Sequence, residues 1–167
     1  MAENYEQNRV QILSLRDFVR EIKPEGVSFD VRFGGDEVSS MRAVNKDKKQ
    51  SASFYSIDKK TNERAVLKIL GWDFGTFNEL KAKVKSANAQ GVSIWEGEGK
   101  TAIYYKDGFV SEFYEIFEGP ANEAAKKDYE IGCDDRFAAD GVVMARDGGA
   151  TMGFICVDRD GYGIKRR

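Results

Sequence analysis

Between Val27 and Phe33 the chain alternates strictly: Val27, Phe29, Val31 and Phe33 are apolar, and Ser28, Asp30 and Arg32 between them are polar. Successive side chains of a strand point to opposite faces, so this stretch makes a strand with one buried and one polar face. Such a strand belongs to a sheet that covers a core on one side, the habit of antiparallel sheets.

The flanking sequence completes the pattern. Ile12, Leu15, Val19 and Ile22 recur at helical spacing, which predicts a helix over 5–22 with Arg9, Arg16, Asp17, Arg20 and Glu21 on its wet side. Pro24 and Gly26 stop it. Beyond the turn at Gly34-Gly35-Asp36, weaker strand signals at 38–44, 51–57 and 64–70 are separated by loops at Lys46–Lys49 and Asp58–Asn62. The four strands suggest an antiparallel meander. Thr76-Phe77-Asn78-Glu79 fits a capping box, and Phe77, Leu80, Val84 and Ala87 share a helical face, so a helix is expected over 76–89 with Gly91 near its end.

Later signals are shorter. Val92–Trp95 reads as a strand, and Asp107-Gly108 joins 101–106 to 109–117 as a hairpin. The second arm also repeats phenylalanine every four residues (Phe109, Phe113, Phe117), but the turn chemistry favours a strand. Pro120 suits the start of a short third helix over 120–129. Val142–Arg146, Thr151–Val157 and Tyr162–Arg166 make a last meander. The expected class is α+β with a mostly antiparallel sheet, in the order α-ββββ-α-βββ-α-βββ. At 167 residues this is one domain, with 91–99 the place where it would subdivide.

Histidine is absent, which removes the usual general base, the commonest zinc ligand, and Ser-His-Asp or Cys-His activation. Asp73-Phe74-Gly75 spells a kinase tripeptide, but the kinase catalytic loop needs a histidine; the expectation is a tight entry to the helix, with Trp72 and Phe74 packed beside it. Gly97 and Gly99 lead into no nucleotide-binding fingerprint. Glu112, Glu115 and Glu118 could pair for glycoside chemistry, although nothing fixes their separation. Asp134, Asp135 and Asp140 are the densest carboxylates and the candidate set for a divalent metal, the third reading of the chain. No cofactor is expected, and Cys133 and Cys156 are read as thiols.

Charge is uneven along the sequence. Residues 42–85 hold eleven Lys and Arg against five Asp and Glu, whereas 112–160 hold twelve acids against five bases. Within the basic stretch Arg42, Lys46, Lys48, Lys49, Lys59, Lys60, Arg64 and Lys68 interleave with Phe54 and Tyr55. Basic grooves with aromatic platforms hold single-stranded nucleic acid, so single-stranded DNA or RNA is one expected partner. The leading expectation is a non-enzymatic binding protein acting on another protein, as an inhibitor, immunity or accessory factor would. Segregated charge steers association and aromatic residues anchor it. There is no run of 18 apolar residues and no secretory start, so no membrane association and a cytoplasmic location are expected.

Overall fold

The computed structural model describes residues 2–34, 37–55, 59–97, 100–107, 110–117, 141–147, 150–157 and 162–163. The chain opens with α1 (Ala2–Ile22) and a three-stranded meander of β1 (Val27–Gly34), β2 (Glu37–Asn45) and β3 (Gln50–Tyr55). Two helices follow, α2 (Lys59–Leu70) and α3 (Phe74–Ser86). The remaining described elements are β4 (Gly91–Ile94), β5 (Lys100–Asp107), β6 (Val110–Phe117), β7 (Gly141–Asp147), β8 (Ala150–Val157) and β9 (Tyr162–Gly163). The class is α+β, and the nine described strands form one antiparallel sheet in the order β3-β2-β1-β4-β5-β6-β7-β8-β9.

The alternation of β1 sets the layers. Val27, Phe29, Val31 and Phe33 are all buried, and their neighbours across the ladders continue the apolar face: Met41 and Ala43 on β2, Val92 and Ile94 on β4, Phe54 on β3 and Ile103 on β5. Against that face lie Ile12, Leu15 and Val19 of α1, Val66, Leu67 and Leu70 of α2, and Phe77, Leu80 and Val84 of α3, in a single core. Trp72 joins them: its ring meets Phe29 edge-on at 5.0 Å, and its indole N–H donates to the Ile22 carbonyl at 2.8 Å. β5 and β6 pair antiparallel as expected, with Asp107 opposite Val110. This makes the second arm a strand.

Several local expectations change. The expected strand at 64–70 is the second half of α2, because Val66, Leu67 and Leu70 fall on one helical face. Gly71, with φ at +69°, closes that helix in a Schellman turn: Trp72 N–H donates to the Leu67 carbonyl and Gly71 N–H to that of Lys68. The meander before α3 therefore has three strands rather than four. α3 also starts earlier than the Thr76 box implies. Asp73 is its N-cap and accepts the Thr76 amide at 2.7 Å, which holds the Asp73 carboxyl below the usual carboxylate range. At the far end Asn88, with φ at +55°, takes the left-handed position, and Gly91 is left to open β4. Phe74 is 71% exposed rather than packed beside the helix. Arg16, expected on the wet side of α1, is buried and paired with Asp17 at 2.9 Å, and Arg20 reaches Thr101 at 3.2 Å. The expected helix at 120–129 lies outside the described residues. No helix among the described residues is long and apolar enough to cross a membrane.

Candidate functional site

Among the described side chains, the face of the sheet opposite the helices carries the polar positions of β1 to β4 and Tyr104 of β5. Ladder pairing sets them in two rows. One runs Ser53, Arg42, Asp30, Ser93, Ala102, and the next runs Ser40, Arg32, Gly91, Tyr104. Two clusters form on this face.

In the first, Asp30 grips Arg32 through two hydrogen bonds, Nε to Oδ1 at 2.7 Å and Nη2 to Oδ2 at 3.3 Å. The guanidinium lies over the Tyr104 ring, 3.4 Å from its centroid, and the Tyr104 hydroxyl shares a 2.8 Å hydrogen bond with Ser93. Gly91 makes this possible. A Cβ there would stand 2.6 Å from Arg32 Cδ and 2.6 Å from the Val31 carbonyl, so only glycine lets the arginine cross from β1 to β5. A β-bulge between Arg32 and Phe33 adds Ser39 to β2 beside the same arginine.

In the second, the Arg42 guanidinium sits 5.8 Å from the Trp95 ring centroid. Arg42, Trp95, Asp30, Ser40, Ser51 and Ser53 border a depression of about 480 Å³ that opens to solvent. Trp95 is held in place because the next amide, that of Glu96, donates to Ser28 Oγ at 2.8 Å, while the Glu96 carboxylate pairs with Lys23. A second concavity lies between α1 and α3, where Lys83 stands over the Phe18 ring at 5.4 Å.

The residues singled out in the sequence are dispersed. Arg42 is exposed on the open face. Lys46, Lys48 and Lys49 are exposed on the β2–β3 turn, which Asn45 organises by accepting the Lys48 amide at 3.2 Å. Phe54 is buried in the core, so it cannot serve as a stacking platform; strand alternation sends it to the helix side with Met41. Arg64 and Lys68 are exposed on α2, across the sheet from Arg42. β3 ends at Tyr55 and α2 begins at Lys59-Lys60, but the side chains of all three lie outside the described residues. So do Asp134, Asp135 and Asp140, Glu118 and Cys133, and the side chains of Glu112, Glu115 and Cys156. Among the described residues no three acidic or cysteine side chains gather as metal ligands.

No family model, curated protein or solved structure matches the chain. The site rests on its geometry alone. Sequence reasoning put Asp30 and Arg32 on the polar face of their strand but missed Trp95, Tyr104 and Gly91 as members of the site. Alternation marks each strand's polar face; which strands become neighbours depends on β4 returning to β1, which no short-range signal carries.

Proposed function

We propose that the protein works by binding another protein through the open face of its sheet. The observation that carries this reading is the pairing of Arg42 with Trp95 at the edge of a solvent-open depression. Arginine and tryptophan supply much of the energy at protein interfaces, and tryptophan contributes large area with few rotatable bonds. The serines around them offer hydrogen bonds without a fixed charge. The protein immobilised as bait, alongside R42A and W95A variants of matched stability, tests the reading. A partner retained by the wild type and lost from both variants supports it. An identical set of captured proteins on all three overturns it.

The same Arg42–Trp95 pair favours a second reading, single-stranded nucleic acid, because an indole beside a guanidinium can stack a base next to its phosphate. Labelled oligonucleotides followed by anisotropy at low and moderate salt decide it. Log affinity should fall linearly with log salt, and W95A should weaken binding.

A further inference from the structure

We propose that the outer edge of β3 adds an extended, acidic strand from a protein partner. This rests on the protein-partner reading above and adds the partner's chemistry and a second contact, the strand edge beside the open face. Sheet edges expose a row of unpaired N–H and C=O groups, and folded proteins usually blunt them with lysine, proline, bulges or very short strands. The two edges here differ. β9 has only two residues, a length that leaves little to pair with. β3 has six, Gln50-Ser51-Ala52-Ser53-Phe54-Tyr55, with no charge and no proline. Its register with β2 runs unbroken, whereas the bulges fall at Arg32/Phe33 and Ala145/Arg146. Among the described residues no backbone hydrogen bond reaches its outer edge. Gln50, Ser51 and Ser53 are exposed. In a chain with 32% charged residues, an uncharged, regular edge of about 20 Å is shaped to be paired.

The surroundings specify the charge of the added strand. Lys46, Lys48 and Lys49 occupy the turn that enters β3, and Arg42 stands opposite Ser53 on the open face with its guanidinium toward Trp95. Arg64 and Lys68 are exposed on α2, which packs on β3 from the other side. Among the described side chains of this stretch, six cations face only two carboxylates, Asp47 and Glu63. Basic residues that fail to share one face thus lie on the turn, the strand and the helix that adjoin the edge strand. A peptide main chain matches that edge because it alternates donors and acceptors; a phosphodiester has no donor to offer. Carboxylates on the added strand would meet the surrounding cations.

The test uses the full chain, 15N-labelled, and an acetylated, amidated eight-residue peptide of alternating valine and glutamate. A valine–lysine peptide, a single-stranded oligonucleotide and a protein dilution series are compared. The expected result is binding of the acidic peptide alone, with every second amide of Gln50–Tyr55 slowed in hydrogen exchange. K46Q, K48Q and K49Q should each weaken binding about two- to five-fold. Binding without β3 amide protection would place the peptide on the open face: the edge proposal fails and the protein-partner reading stands. Protection of β3 that grows with protein concentration and no peptide makes a second copy the occupant and overturns the acidic-strand assignment. Binding of the oligonucleotide alone overturns both. No binding by any probe overturns the edge proposal, and the bait experiment with R42A and W95A then decides the wider reading.

Discussion

Replacing Gly91 with alanine isolates the contact on which the open face depends. The added methyl would meet the Val31 carbonyl at 2.6 Å, Arg32 Cδ at 2.6 Å and Arg32 Cα at 3.3 Å. The side chain can swing away, but that breaks its stack on Tyr104 and its bonds to Asp30. The carbonyl belongs to the ladder between β1 and β4 and can yield only if the strands part. Overfilling a packed site of this kind costs about 1–3 kcal/mol. The lost cation–π contact adds about 0.5–1 kcal/mol. The stiffer unfolded chain returns about 0.4–1 kcal/mol. The net is a loss of roughly 1–3 kcal/mol, or about 2–12 °C in Tm for a chain of this size. Urea unfolding followed by circular dichroism measures it, on G91A, R32A and the double variant. Removing Arg32 should relieve part of the G91A penalty and leave the carbonyl clash, so G91A remains destabilising in the R32A background with a coupling near 1 kcal/mol. If G91A is as stable as the wild type in both backgrounds, the packing argument is wrong.

Two further substitutions read the core and a helix end. Burial pushes the Tyr105 phenol well above its ordinary pKa of 10.0, and its hydroxyl donates to the Ala87 carbonyl. A raised pKa means the folded state holds the proton more tightly. The stabilisation is thus full below pH 10 and lost progressively above it, and Tyr105→Phe should flatten the alkaline limb of a Tm–pH profile while lowering neutral stability by about 1 kcal/mol. Asp73 behaves in the opposite sense: its lowered pKa stabilises above 3.8 and that contribution is lost as pH falls through the folded value, so Asp73→Ala should reduce Tm at pH 7 and narrow its difference from wild type in acid.

How far the sequence reached depended on the range of each signal. Four apolar residues at even spacing were enough for β1, and one helical stripe was enough for α1 and for α3. The stretch Ala65-Val66-Leu67-Lys68-Ile69-Leu70 is nearly all apolar, and over so few residues a strand and a helix look alike. Gly71 was the legible clue, since a glycine just past an apolar run is how a helix stops. At α3 Asp73 caps the helix in place of Thr76, three residues earlier, which adds nearly a full turn. The open-face site was half legible. Ser28, Asp30 and Arg32 follow from alternation, but Trp95 and Tyr104 join them only because β4 fits antiparallel between β1 and β5. The basic stretch was visible, but its split across two sides of the sheet was not, because that split follows from α2 being a helix.

The return of β4 to β1 also has a consequence for the chain as it is made. β1, β2 and β3 emerge early and can pair at once, yet one side of β1 waits for β4, which begins at Gly91. At ribosomal speeds of about 5–20 residues per second, synthesis from Tyr55, where the meander is complete, to Gly91 takes about 2–7 seconds. Through that interval the nascent meander presents two bare edges, and the one on β1 carries the row of Val27, Phe29, Val31 and Phe33. Asp30 and Arg32, which later hold Tyr104, are then the only charges on that strand that discourage a neighbouring nascent chain from taking β4's place. The same ion pair that charges the unfinished strand thus becomes, once β4 and β5 arrive, the support on which Tyr104 stacks.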